Sequence, residues 1–330
     1  MSNGPAVAVP TTGCRGITGK AWWPWVTRAV PLLFFLVIAS LLIHQARSID
    51  WGEVWRSLRT HPPLGVAIAA GFAAASHLLY SCFDLLGRAH TGHRIGTVRV
   101  MMTTFISYAF NLNFGSLVGG VAFRYRLYSR LGLDAATTSE VLAISMLGNW
   151  LGYALLAGLL FALRPLDLPI DWAIGTLLLR GLGLLLVAVA LGYLALCAFA
   201  PRRTWSLRGR AICLPTFRFA VLQMGMAVLN WALIGAAIYV LLEQHVDYAS
   251  ALSVLLVAAV AGVVTYVPAG LGVLEAVFVA LLSQQVATDE LLASLLAYRG
   301  VYYWGPLLVA VVLHLVLEAR TRRRRVREAV

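Results

Sequence analysis

Between residues 28 and 317 the chain carries one apolar run of about twenty residues after another, joined by short loops in which most of the arginines sit. Crossing roughly 30 Å of hydrocarbon takes about 20 residues of helix. Uninterrupted runs of that length cover residues 28–46, 63–83, 140–163, 173–200, 218–242 and 290–317. With 60% hydrophobic and 12% charged residues, a soluble core of this size would leave much apolar surface in water, so a water-soluble globular enzyme is excluded. The four cysteines, at 14, 82, 197 and 213, form no disulfide framework. The sequence predicts an all-α polytopic membrane protein.

The formal net charge of +12 marks topology. Arg15, Lys20 and Arg28 precede or open the first run, and Arg88, Arg94 and Arg99 follow the second. Arg124, Arg126 and Arg130 form a third group, the 201–218 loop a fourth, and Arg320 to Arg325 a fifth. No basic domain stands apart from the membrane, so no nucleic-acid partner is expected. If basic loops face the cytoplasm, the 164–172 and 243–248 loops lie outside and both termini inside. The 47–61 loop, with three arginines against Asp50 and Glu53, fits least well.

Two apolar stretches are interrupted. Residues 97–131 break at Asn111 to Gly120, and residues 249–285 break at Pro268-Ala269-Gly270-Leu271-Gly272. Inside a helix, Gly costs about 1 kcal/mol and Pro about 3 kcal/mol relative to Ala. The charge ledger closes only if neither stretch crosses. Each then enters, turns at its break and leaves on the same side, the first opening to the cytoplasm and the second to the outside. The expected architecture is six full transmembrane helices plus two re-entrant helical hairpins, arranged as a 4+4 inverted repeat. The halves are about 28–163 and 173–317, within a membrane domain of 27–317. A disordered cytoplasmic tail (1–26) precedes it and a basic cytoplasmic tail (318–330) follows. At an offset of 150, Gly120 meets Gly270, Thr138 meets Thr288 and Glu140 meets Glu290. Thr138-Ser139-Glu140 and Thr288-Asp289-Glu290 both read as helix starts.

A phosphate-cradling G-x-x-x-x-G-K-[ST] loop is absent, as are H-E-x-x-H and C-x-x-C. His90 and His93 lack a third ligand nearby and read as a solvated loop. No metal or cofactor is expected. The breaks carry more information, because irregular backbone at membrane depth must line protein or a wet cavity. Inverted repeats that bring two such breaks together are a transporter architecture. Gly119, Gly120, Pro268, Gly270 and Gly272 are accordingly the expected hinge positions, with close helix packing as the other reading.

Arg124, Arg126, Arg299 and Glu275 fall at apolar depth, where a lone arginine costs about 3 kcal/mol and needs a partner. One reading is an Arg–Glu pair tying the hairpins. The other is a basic pocket for an anionic headgroup, since guanidinium forks match phosphate. Tyr125, Tyr266, Tyr298, Tyr302 and Tyr303 would add hydroxyls. Asn111, Asn113 and Asn149 are amides better placed in a polar cavity than against lipid. From these the expected substrate-binding set is Arg124, Arg126, Glu275, Arg299, Asn111, Asn113, Tyr298 and Tyr302.

The run Asn113-Phe114-Gly115-Ser116-Leu117-Val118-Gly119-Gly120-Val121-Ala122-Phe123-Arg124-Tyr125-Arg126 continues to Leu133, and Val267-Pro268-Ala269-Gly270-Leu271-Gly272-Val273-Leu274-Glu275 is a second signature. On these residues the sequence resembles the transmembrane region of bacterial lysylphosphatidylglycerol synthases and the stand-alone flippase-like proteins of that family, over roughly 28–317. The resemblance implies translocation of a phospholipid or lipid-linked headgroup across the bacterial inner membrane, with Arg124, Arg126 and Glu275 in the translocation site. The chain stops at Val330, so the aminoacyl-transferase domain is expected to be missing and no enzymatic activity is expected. The expected partners are the bilayer and a phospholipid or other anionic lipid; homo-oligomerisation is left open. A secondary transporter of a soluble anion, and an accessory subunit or membrane enzyme of lipid metabolism, are the alternatives.

Overall fold

A computed structural model describes residues 52, 56, 59, 61–164, 175–200, 204–207, 210–265 and 270–328. These lie within one compact unit, Gly52–Val330. The expected span at 28–46, the 1–26 tail and Pro268 fall outside the described residues.

The described chain is helical apart from one small hairpin. In order it runs α1 (Pro63–Ser81), α2 (Phe83–Thr91), α3 (Thr97–Phe114), a π-helical turn (Ser116–Ala122), α4 (Phe123–Arg130), α5 (Ala135–Leu163) and α6 (Thr176–Phe199). The antiparallel strands β1 (Thr204–Leu207) and β2 (Arg210–Cys213) follow. Then come α7 (Phe217–Leu241), α8 (Tyr248–Thr265), α9 (Val273–Leu282), α10 (Thr288–Tyr298), a second π-helical turn (Arg299–Trp304) and α11 (Gly305–Glu328).

Among the described residues, six stretches are long and apolar enough to cross a bilayer: Pro63–Thr91, Ala135–Leu163, Thr176–Phe199, Phe217–Leu241, Tyr248–Thr265 and Thr288–Ala319. Five coincide with runs predicted from the sequence. The sixth, α8, was expected as the first arm of the second re-entrant hairpin. At 1.5 Å per residue its 18 residues extend about 27 Å.

Both interrupted segments fold back on themselves. α4 packs on α3, and α9 packs on α8. In the first hairpin the Phe110 and Phe123 rings stack at 4.1 Å across the break. Gly119 sits against the Phe110 and Asn111 backbone, and Gly120 against the Asn111 amide, where a Cβ would come within 2.7 Å of Oδ1. Absence of a side chain at Gly119 and Gly120 is therefore what lets the arms close, the packing reading of those positions. In the second break Gly270 (φ +56°) and Gly272 (φ +77°) adopt left-handed conformations that favour glycine.

Several helix boundaries recur along the chain at a nearly constant offset. α3 and α8 start and end 151 residues apart, while α4 and α9 start, and α2 and α7 end, 150 apart. The helices so paired differ in local form. Pro63–Thr91 is divided at Cys82 where α7 is continuous, and α5 is continuous where Thr288–Glu328 is interrupted by the second π turn.

One local expectation is corrected. α5 begins at Ala135 rather than near 140, because Asp134 caps it by accepting hydrogen bonds from the Ala136 and Thr137 amides; Thr138 and Ser139 instead bond carbonyls one turn back. α11 continues as helix to Glu328, through most of the basic segment 318–330.

Candidate functional site

The site is built where the two hairpin breaks meet the middle of the bundle. A cavity of about 480 Å³ is lined from α1, α3, α5, α7, α8, the start of α9, the end of α10 and the second π turn, with Gly115 and Ser116 of the first break and Gly270 of the second in its wall. Its polar lining consists of the amides Asn111, Asn149 and Asn230 and the phenols Tyr80, Tyr108, Tyr298, Tyr302 and Tyr303. Trp150 and Trp231 add two indoles. Among the described lining residues none is charged.

A polarised hydrogen-bond chain crosses the floor. Ser76 Oγ donates to Asn230 Oδ1 at 2.8 Å. A serine has one proton, so the 2.8 Å contact between Tyr302 and Ser76 must be donated by Tyr302. By the same count the 2.9 Å contact between Tyr108 and Tyr302 is donated by Tyr108. The chain Tyr108→Tyr302→Ser76→Asn230 thus links α3, the second π turn, α1 and α7. Every proton is committed in one direction, which strengthens successive bonds. The His77 ring packs against Tyr302 at 4.7 Å and Tyr108 at 5.2 Å, holding the phenols from behind.

The arginines predicted for the site stand one layer outside that wall. Arg299 donates from Nε to Glu275 Oε1 at 2.5 Å and from Nη2 to Oε2 at 3.0 Å. The same Nη2 donates to the Gly270 carbonyl at 3.0 Å, and the guanidinium lies 5.4 Å from the Tyr303 ring centre. Arg124 is buried and lies 3.6 Å from Asp84, which is wholly buried. Tyr128, four residues on, donates to the other Asp84 oxygen at 2.8 Å, and Arg124 lies 5.7 Å from the Tyr80 ring centre. Tyr80 and Tyr303 are wall residues, so each buried guanidinium lies against a phenol that belongs to the chamber's lining.

Of the predicted residues, the cavity brings together Asn111, Asn149, Tyr298, Tyr302, Tyr303 and Gly270. Arg124, Arg126, Arg299, Glu275 and Asn113 are not among its described lining. Asn113 donates to the Ala109 and Tyr303 carbonyls, tying the end of α3 to the second π turn. Arg126 is half-buried on α4 one turn before Arg130, which pairs with Glu318 of α11. Tyr125 exchanges a 2.6 Å hydrogen bond with Ser139 at the start of α5, and Tyr266 lies outside the described residues.

Sequence reasoning missed Asp84, and with it the balance of charge at the first break. The signal was present: Ser76, Tyr80 and Asp84 recur at four-residue spacing on one helical face of an otherwise apolar run. Ser76, Tyr108, Asn230 and Trp231 were missed as well.

The fold and cavity define an integral membrane protein with two broken helical hairpins closing on an uncharged polar chamber. The chain belongs to the family of the lysylphosphatidylglycerol synthase transmembrane region, whose model matches residues 29–310. It is 42% identical over 304 residues to inner membrane protein YbhN of Escherichia coli, covering 92% of this chain and 96% of that protein. It is 27% identical over 282 residues to the uncharacterized protein slr0712 of Synechocystis, covering 84% and 87%. The phosphatidylglycerol lysyltransferase of Staphylococcus haemolyticus is 22% identical over 295 residues, 85% of this chain and 33% of the lysyltransferase.

Proposed function

We propose that this protein translocates a phospholipid, or another lipid with an anionic headgroup, between the leaflets of the inner membrane, both termini being cytoplasmic. The observation that carries the reading is the 480 Å³ polar cavity built against both hairpin breaks. Amides and phenols are costly to bury against hydrocarbon unless something hydrogen-bonds them, and a passing headgroup supplies that partner. Trp150 (38% exposed) and Val263 (52% exposed) belong both to the cavity wall and to the outer surface, so the chamber reaches the side of the bundle, where acyl chains would trail. In this reading the hairpins are re-entrant and the halves an inverted repeat, to which the constant boundary offset lends support.

The reading is of a translocase and not an enzyme. Asp84 and Glu275, the carboxylates beside the breaks, are each held by an arginine behind the wall and not presented to a substrate. The relative named phosphatidylglycerol lysyltransferase supports a lipid as the cargo.

The test is reconstitution into vesicles with tail-labelled phosphatidylglycerol and a membrane-impermeant quencher added outside. Labelled lipid is expected to become fully accessible with the protein and to stop near half without it. Asn149→Leu is expected to slow the exchange at least fivefold. Vesicles carrying folded protein that exchange no faster than empty ones would overturn the reading, and uptake of free phosphate by the same vesicles would replace it with soluble-anion transport.

A further inference from the structure

We infer that the cavity selects lipids whose headgroup ends in an uncharged, hydroxyl-rich part, a glycerol or a sugar, over lipids whose headgroup ends in a phosphate or an ammonium group. The inference rests on the translocase reading and adds the chemistry that the chamber selects.

Charge gives the first argument. No described lining residue carries a charge, and the two buried guanidiniums nearest the chamber are engaged by Asp84 and Glu275 behind the Tyr80 and Tyr303 rings. A phosphate entering would shed its water and meet no opposing charge among the described lining residues. A cation is disfavoured for a different reason. The ring faces that would attract it include Tyr80 and Tyr303, which already hold guanidiniums at 5.7 and 5.4 Å. A cation–π contact with the remaining rings does not offset losing an ammonium's hydration.

Hydrogen-bonding capacity gives the second. Amide and phenol groups each donate and accept, and hydroxyls do the same, so a polyol can satisfy several wall groups at once.

Shape gives the third. Trp150 and Trp231 present flat apolar rings beside the polar groups, which suits a molecule with C–H faces and a hydroxyl rim. A volume of about 480 Å³ lies within the roughly 300–1,000 Å³ of small-molecule pockets. The hydroxyl-rich group has two sources, the glycerol end of a phospholipid or the sugar of a glycolipid.

The experiment compares four tail-labelled lipids of identical acyl chains in vesicles containing the full chain: phosphatidylglycerol, glucosyl-diacylglycerol, phosphatidic acid and phosphatidylethanolamine. At least one of the two hydroxylated lipids is expected to exchange tenfold or more faster than phosphatidic acid and phosphatidylethanolamine; which of them does identifies the source. Asn149→Leu, checked for a monodisperse elution profile, is expected to shrink that ratio at least threefold. Phosphatidic acid or phosphatidylethanolamine exchanging as fast as the hydroxylated pair would overturn the inference while leaving translocation standing. Exchange of none of the four would overturn the translocase reading, and this inference with it.

Discussion

Arg299 grips Glu275 through two parallel hydrogen bonds, 2.5 and 3.0 Å long, and with the same guanidinium takes the carbonyl of Gly270 at 3.0 Å. A side chain from the last helical segment thereby fixes the left-handed turn of the second break and the helix that leaves it. Arg299 is 3% exposed and the Glu275 side chain 22%, so the pair is shielded from water on one side more than the other.

Removing one partner of that pair is expected to hurt more than removing both. Glu275→Gln strands a guanidinium among apolar groups, and breaking a buried pair in this way costs on the order of 3–5 kcal/mol, the lower end applying to a partly exposed carboxylate. Arg299→Met combined with Glu275→Leu leaves no stranded charge and is expected to melt closer to wild type than Glu275→Gln does. Melting temperatures of the detergent-solubilised variants check the order. A Glu275→Gln protein that melts with wild type would show that the pair does not hold the break.

The pair at the first break predicts a graded series. Tyr128→Phe removes one hydrogen bond to the buried Asp84 carboxylate, and a bond to a charged group is worth about 1.5–3 kcal/mol. Arg124→Ala removes the counter-charge itself and is expected to cost more, lowering yield as well as melting temperature. Equal melting of Tyr128→Phe and wild type would show that this hydrogen bond does not stabilise the buried Asp84 carboxylate.

The apolar runs were legible because length and composition alone separate a membrane helix from its loops, and five described helices fall where the runs predicted. The breaks were legible for the same reason: Gly119, Gly120, Gly270 and Gly272 interrupt a pattern that admits few interruptions. Partnering was harder to see. Asp84 looked like the polar end of a run stopping near 83, yet the helix continues to Thr91 and carries the carboxylate inward. Arg124 and Arg299 were visible as buried charges, but whether they face cargo or a carboxylate depends on contacts across 40 and 24 residues of chain. The chamber's tyrosines and amides come from five helices, and no spacing within one helix announces a wall assembled from so many.

Gly119 of the first hairpin is expected to be irreplaceable, whereas an exposed glycine with open space around it is free to vary. An added Cβ at Gly119 would collide with the Phe110 carbonyl and the Asn111 amide, backbone atoms that cannot swing away. Gly119→Ala should therefore give little folded protein by size-exclusion profile. Gly225→Ala, exposed on α7 with nothing within 4 Å of its Cβ, is the matched control and should elute and melt as wild type. Normal folding of Gly119→Ala would mean that the arms of the hairpin can separate at no cost.

The cap of α5 predicts a pH dependence. The Thr137 hydroxyl, then the Thr137 and Ala136 amides, hold the Asp134 carboxyl below its ordinary value of 3.8. A carboxylate depressed by folding contributes stability that is fully present above the unfolded pKa and is lost as pH falls through the folded one. Melting temperature is thus expected to fall on acidification below about pH 4 partly through this cap. Asp134→Asn keeps an acceptor oxygen without a titrating proton, and should show a shallower fall over the same interval. Identical acid profiles for the two proteins would remove Asp134 from the account.

Tyr302 stands in the middle of the chamber's hydrogen-bond chain, accepting from Tyr108 and donating to Ser76. Tyr302→Phe keeps the ring that stacks on Tyr298 at 5.3 Å and deletes only the oxygen. Two buried hydroxyls then lose a partner at once, and each unsatisfied group costs about 1–3 kcal/mol. Part of that is recovered because Tyr108 lines the open cavity and can turn to water there. The variant is therefore expected to fold, to melt several degrees lower, and to exchange lipid more slowly than its stability loss explains, because the polarity of the floor has been broken. Ser76→Ala separates the two effects. It removes the link from Tyr302 to Asn230 but leaves both cavity-facing groups in place, so it should lower the melting temperature similarly while slowing exchange less. Equal transport defects in the two variants, at equal folded protein per vesicle, would show that the chain matters for stability alone and that Tyr302 makes no contact with the cargo.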